Sequence, residues 1–148
     1  MLHFVIKSFD ELSTAELYEI LRLRSEVFVV EQTCIYQDID NKDQKAIHVL
    51  GYFDGELAAY SRIFNKHDYF ENTSIGRVIV AEKFRDKKFG HELIRASKQA
   101  IKDYFDETTI EISAQKHLSN FYGSHGFQPI SEMYLEDGIP HIRMLASL

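Results

Sequence analysis

The chain has a single cysteine, Cys34, in 148 residues. One thiol excludes an intramolecular disulfide and a cysteine-rich zinc site. Long apolar runs are absent too, and no stretch approaches the roughly 20 residues that a membrane span needs. The opening residues, Met1-Leu2-His3-Phe4-Val5-Ile6-Lys7, lack the basic start, long apolar region and small-residue cleavage site of a secretory leader. A cytoplasmic location is the expectation. Positive charge is in deficit, with 17 Lys and Arg against 23 Asp and Glu and a formal net charge of -6. Proteins that grip duplex nucleic acid present a basic face, so neither nucleic acid nor a membrane is an expected partner. Internal repeats, linkers and low-complexity segments are also missing.

What is present is a packed globule. Hydrophobic residues make up 45% of the chain, and this length suits one domain with one core, taken as residues 1–148. Residues 3–7 alternate as a strand. Ser13 and Glu16 form a capping-box pattern, and a helix follows. Its face carries Leu17, Ile20, Leu21, Arg24, Val27, Phe28 and Glu31 at helical spacing. The charged members, Arg24 and Glu31, either mark where that face leaves the core and borders a cleft or are long side chains that snorkel to solvent. Residues 34–45 read as an ordered polar surface loop with Asp38, Asp40 and Asp43. The glycine and the terminal glutamate of a calcium loop are missing at the required offsets, and no metal is expected.

Asp54-Gly55 between residues 47–53 and 56–64 is a two-residue hairpin signal. A third strand at 74–80 continues the meander, and a long helix covers about 87–104. Residues 108–113 form a strand, expected parallel to 74–80 because a helix separates them. A short helix at 118–124 and strands at 127–131 and 139–145 close the chain. The sum is an α+β, three-layer architecture: a mixed, mostly antiparallel sheet with helices on both faces.

Two segments carry chemistry. Arg85-Asp86-Lys87-Lys88-Phe89-Gly90-His91 lies between an apolar strand and a helix start. Strand, cationic turn and helix N-terminus aim free N–H groups and a positive dipole end at one point, which suits phosphate. The other segment, Asn120-Phe121-Tyr122-Gly123-Ser124-His125-Gly126-Phe127, is a short helix with Gly126 as its C-cap. Asn120 and Tyr122 have no evident packing duty there.

Together these segments resemble the GNAT (N-acetyltransferase) superfamily. The cationic turn is similar to its pyrophosphate loop, Arg/Gln-x-x-Gly-x-Gly/Ala, with Arg85 and Gly90 at the outer positions and Lys88 where the first glycine is usual. The short helix is similar to its Asn-x-Tyr-x-x-x-Gly-Phe element. Val27-Phe28-Val29-Val30-Glu31-Gln32, Tyr36-Gln37-Asp38-Ile39-Asp40, Ile75-Gly76-Arg77-Val78 and Glu136-Asp137-Gly138-Ile139-Pro140-His141 resemble the ElaA-like branch. The resemblance implies acetyl-CoA as co-substrate and a sheet that parts between the strands at 74–80 and 108–113. The pantetheine arm then pairs with Val78, Ile79 and Val80, and the pyrophosphate sits on the N–H groups of Arg85 through His91, with Asn120 a further CoA contact. A backbone N–H of the first of those strands polarises the thioester oxygen.

The expected activity is acetyl transfer to an amine of a small molecule or peptide by direct attack in a ternary complex. Tyr122 is the expected general acid: a phenol of ordinary pKa near 10 stays protonated beside a thiol near 8.5. Glu31 is the first choice for the base, with His48, Glu111 and His141 as alternatives. Arg24, Gln32, Tyr36, Asp38, His48 and His141 are the candidate acceptor-pocket residues. A competing reading is a non-catalytic CoA-binding module on the same fold. A Cys–His hydrolase built on Cys34 is disfavoured, because an acidic loop raises a thiol pKa. Sheets of this kind also pair through exposed edges, which leaves a homodimer open.

Overall fold

The computed structural model describes residues 1–148. Its sheet runs in the order β1-β2-β3-β4-β5-β8-β6, with β7 also paired to β8. The strands are β1 (His3–Ser8), β2 (Ile47–Phe53), β3 (Glu56–Phe64), β4 (Thr73–Val80), β5 (Thr109–Gln115), β6 (Gln128–Pro129), β7 (Tyr134–Glu136) and β8 (Ile139–Ser147). Every pairing is antiparallel except β4 with β5. The mixed sheet expected from the sequence is therefore found, including its one parallel step. Asp54 and Gly55 both take positive φ at the β2–β3 turn, as a tight hairpin requires.

The helices are α1 (Thr14–Arg24), α2 (Phe89–Phe105) and α3 (Ser119–Gly123). α1 starts on the capping box: Ser13 Oγ accepts from the Glu16 N–H, and Glu16 Oε1 accepts from the Ser13 N–H. It then widens into a π-helical segment, Ser25–Glu31. α1 and this segment bury Ile20, Leu23 and Val27 against Leu50, Tyr60 and Ile79 on one face of the sheet. On the other face, α2 buries Phe89, Leu93, Ile94, Ala100 and Ile101 against Val49, Ala59, Ile63 and Ile75. Ser97 is the one polar residue of that stripe, and its Oγ meets Ser61 Oγ at 2.7 Å. β3 is covered by both layers, and residues 57–64 are all buried.

The acidic loop lies at the surface, as expected, and forms a strap over the sheet with two carboxylates turned inward. Asp38 and Asp43 are buried, as are Arg24 and Arg62. Asp43 Oδ1 accepts from Arg24 Nη1 at 2.6 Å and from Arg62 Nη1 at 2.8 Å. Arg24 also donates from Nε to Asp38 Oδ2, and Arg62 holds both oxygens of Asp40. His48 lies under the strap as a neutral ring. Its Nε2 donates to the Asp43 carbonyl, and its Nδ1 accepts from the Tyr60 hydroxyl. Burial lowers the His48 pKa. Burial pushes the Asp40 carboxyl up, but the Arg62 hydrogen bonds and charge outweigh it and hold the group at about 2, against 3.8 ordinarily.

These shifts set the acid stability. A carboxyl with a depressed folded pKa adds stability that is full at neutral pH and is lost as pH falls through that pKa. Asp40 therefore contributes about 2 kcal/mol that disappears between roughly pH 4 and pH 2. His48 acts earlier: the unfolded chain takes up its proton below pH 6.5, the ordinary value, while the fold resists it. Urea unfolding followed from pH 7 to pH 3 should show stability falling in both windows. Asp43→Asn, which leaves Arg24 and Arg62 short of a shared carboxylate, should cost about 3 kcal/mol at pH 7.

Candidate active site

β4 and β5 pair only at Thr73↔Ile110 and Ser74↔Glu111. Thr73 Oγ1 ties the closed end by donating to the Thr109 carbonyl at 2.6 Å. Past Ser74 the strands part, and the edge of β4 toward β5 has no strand partner. The other edge is irregular as well. Tyr60 and Arg62 on β3 face Ile79 and Gly76 on β4, so β4 carries one extra residue. Arg77 absorbs it with φ of 50°, a left-handed conformation that costs a residue bearing a Cβ about 1 kcal/mol or more. The strap holds it there: Arg77 Nη2 donates to the Asp38 carbonyl at 2.9 Å, and Nε lies 2.8 Å from Asp38 Oδ1. Arg77 and Val78 have no register partner on β3.

A cleft of about 120 Å³ opens where the strands part. Gly76, Arg77 and Val78 line it from β4, Ser113 and Gln115 from β5, and Leu118 and Tyr122 from the α3 region. Phe28, Gln32, Cys34 and Tyr36 form one wall, and Glu136, Asp137, Ile139 and His141 another. Tyr122 is 6% exposed, and burial raises the pKa of its phenol, which keeps it protonated. Gln115 Nε2 donates to Gln32 Oε1 at 3.3 Å across the cleft. The Tyr36 hydroxyl donates to Asp38 Oδ1 at 3.1 Å. Cys34 Sγ donates to the Asp137 carbonyl at 3.4 Å.

β4 leads into a 3-10 turn, Glu82–Lys87, and then α2. Lys88 is the N-cap of α2 with φ of 59°, and no side chain caps the helix. The position where the family pattern carries glycine thus keeps a glycine-like backbone with a lysine side chain. Asp86, Lys87 and Lys88 are exposed around this helix end, with Lys87 Nζ over the Phe53 ring. Phe89 sends its ring into the core and offers only backbone. Gly90 has a packing reason as well as a ligand reason: a Cβ there would sit 3.2 Å from Phe121 Cζ. This close approach seats α3, and with it Tyr122, on α2. His91 Nδ1 lies 2.8 Å from His125 Nε2. Asn120 is exposed on α3. Of the expected pantetheine partners, Val78 lines the cleft. Ile79 buries its side chain beneath α1 and, with Val80, pairs to β3 through the other strand edge.

Several expected site residues lie elsewhere. Glu31, the first-choice base, grips Arg85 in a two-point ion pair at 2.6 and 2.9 Å. The cause is the π-helical segment: its wider turn lags the α-helical period, so positions after Arg24 no longer share one face. Arg85 is committed to that pair and to the Val80 carbonyl. Arg24 and Asp38 are structural partners of each other rather than pocket lining. His48 has both ring nitrogens engaged and is fully buried, so it neither binds an acceptor nor serves as a base. Glu111 is buried, beside Arg143 and Asn72. Gln32, Tyr36 and His141 do line the cleft.

Phe28, Cys34, Arg77, Ser113, Gln115, Glu136 and Asp137 also line it, and none of them was expected there. For Glu136 and Asp137 a signal existed: Asp137-Gly138 is the same hairpin dipeptide as Asp54-Gly55, and it joins β7 to β8.

Comparison with known proteins agrees with this geometry. The acetyltransferase (GNAT) domain family matches residues 11–148. The chain is 47% identical over 137 residues to protein ElaA of Escherichia coli strain K12, covering 91% of this chain and 90% of that one. The crystal structure of Escherichia coli ElaA superposes with a TM-score of 0.92 over 99% of this chain and 100% of that one, at 43% identity. An acyl-CoA N-acyltransferase from Pseudomonas aeruginosa superposes with a TM-score of 0.93 at 39% identity, covering 99% of this chain and 100% of that one. A GNAT acetyltransferase from Elizabethkingia anophelis, solved with acetyl-CoA bound, shares the fold at 16% identity and a TM-score of 0.66, over 99% of this chain and 98% of that one. A parted β4–β5 pair, an uncapped α2 N-terminus and a buried tyrosine in the cleft thus occur in a chain that belongs to the GNAT acyl-CoA N-acyltransferase family.

Proposed function

We propose that this protein transfers an acetyl group from acetyl-CoA to a primary amine by direct attack in a ternary complex. The observation that carries the reading is the parting of β4 from β5 beyond Ser74 and Glu111. It leaves a strand edge free to take an extended amide-bearing arm, with an open helix N-terminus at one end and a cleft at the other. The acetyl-CoA-bound relative of the same fold supports that choice of donor.

In this reading the first turn of α2 holds the pyrophosphate through backbone N–H groups and the helix dipole. Exposed Lys87 and Lys88 add positive charge. The edge of β4 from Val78 to Val80 aligns the pantetheine amides. A backbone N–H at the bulge, where β4 lacks a register partner on β3, stabilises the growing negative charge of the thioester oxygen as an oxyanion donor. Tyr122 gives its proton to the departing sulfur. The acceptor is an amine small enough, or on a chain end mobile enough, to enter between Phe28, Tyr36 and the β7–β8 hairpin.

Calorimetric titration tests the donor assignment. Acetyl-CoA and CoA should both bind in the micromolar range, with a plain nucleotide clearly weaker; no binding of either CoA species would remove the proposal. Tyr122→Phe tests the enzyme reading against a binding module. It should leave acetyl-CoA affinity within about twofold and lower kcat by about 100-fold, the usual worth of a positioned acid. Because burial raises the Tyr122 pKa, the wild-type rate should show no loss from phenol ionisation up to about pH 10. Unchanged turnover in the variant would mean that Tyr122 is not the acid.

A further inference from the structure

We infer that His141, with Glu136 behind its proton, takes the proton from the acceptor amine; this rests on the acyl-transfer reading above. His141 lies on β8 in the wall of the cleft that also contains Tyr122, and its residue is 7% exposed. Its Nδ1 is 2.7 Å from the Ile139 carbonyl. A carbonyl only accepts, so Nδ1 carries the hydrogen, and in the neutral ring the lone pair is on Nε2. Nε2 lies 3.5 Å from Glu136 Oε2. A proton arriving on Nε2 would carry its positive charge close to that carboxylate. Nε2 is therefore the ring atom open to a proton from the acceptor.

The ring is held in that pose. It stacks on Tyr134 at 6.2 Å between centroids, and the Tyr134 hydroxyl is hydrogen-bonded to Ser113 Oγ. Ser113 Oγ in turn donates to Glu136 Oε1 at 3.2 Å. β5, β7 and β8 thus fix base and carboxylate together. The other ionisable groups of the wall are Asp137, Cys34, Tyr36 and Tyr122. The nearby cations are committed elsewhere: Arg77 to Asp38, and Arg143 to Glu111.

The protons balance. The ammonium N–H bond breaks, and its proton passes to His141 Nε2. The freed lone pair forms the C–N bond to the thioester carbon. As the C–S bond breaks, Tyr122 gives its proton to sulfur, and the new amide nitrogen releases a second proton to solvent, from which Tyr122 is restored. His141 then returns its proton to solvent.

The test measures CoA release from acetyl-CoA with n-butylamine, 1,4-diaminobutane and a lysine-containing peptide from about pH 6 to pH 9.5, a span that crosses the ordinary histidine pKa and approaches that of an alkyl amine. It uses the wild type, His141→Asn and Glu136→Gln, with acetyl-CoA affinity measured alongside. Asparagine keeps an N–H toward Ile139 but has no Nε2. His141→Asn should lower kcat/KM about 100-fold at pH 7, with acetyl-CoA affinity unchanged, and the deficit should narrow as pH approaches the pKa of the amine. Glu136 is exposed, so its variant folds; Glu136→Gln should lower kcat/KM at pH 7 through kcat rather than KM, with acetyl-CoA affinity unchanged. If the wild type turns over an amine while both variants keep its rate and pH profile, the assignment of His141 is overturned and acyl transfer stands. If the wild type releases no CoA with any amine, the acyl-transfer reading itself fails, and this inference with it.

Discussion

Arg24, Arg62 and Arg77 meet Asp38, Asp40 and Asp43 between the strap and the sheet, and the cleft depends on that meeting. Buried ion pairs are a poor source of net stability, because desolvation consumes most of the Coulomb gain. Their effect here is positional. Asp38 holds Arg77 in a left-handed conformation within β4, and Arg77 is where the strand takes up its extra residue. Asp43, shared by Arg24 and Arg62, ties the end of α1 to β3. An apolar replacement would fill the same volume but would not set the direction of the β4 edge.

The parted edge of β4 built on this frame runs between two unlike environments. At one end α2 begins without a side-chain cap among Lys87 and Lys88, an environment for a polyanion. At the other, Glu136 and Asp137 sit beside His141, an environment for a cation or for a group that sheds a proton. The parted strands connect the two, and Tyr122 faces the space between them. In the proposed reaction an anionic donor and a cationic acceptor would be drawn to opposite ends of this edge, with their reacting atoms meeting at the bulge.

Local chemistry made much of this legible in advance. The Asp54-Gly55 hairpin, the Ser13–Glu16 cap and the apolar stripe of α2 each report their structure within a few residues. Tyr122 and the turn before α2 stand out in the sequence because strand, loop and helix follow one another directly there. Errors arise where the deciding partner is remote in sequence. The carboxylates of the strap do not announce their ion pairs, because Arg62 and Arg77 come from β3 and β4. Arg24 and Glu31 read as one helical face because nothing local announces the π-helical winding from Ser25. His48 looks available because its partners are Tyr60 and the carbonyl of Asp43. Glu136 was within reach: the Asp137-Gly138 turn marks the hairpin that brings it to the cleft.

What the open edge of β4 binds decides whether the cleft works in this way. A crystal structure with a non-transferable acetyl-CoA analogue reads it out. The pantetheine arm should lie along Val78 to Val80, with the pyrophosphate over the first turn of α2 and the thioester-equivalent oxygen within about 3 Å of a backbone N–H at the β4 bulge. An analogue bound away from the gap between β4 and β5, or a bulge whose N–H groups point away from that oxygen, would contradict the proposed chemistry.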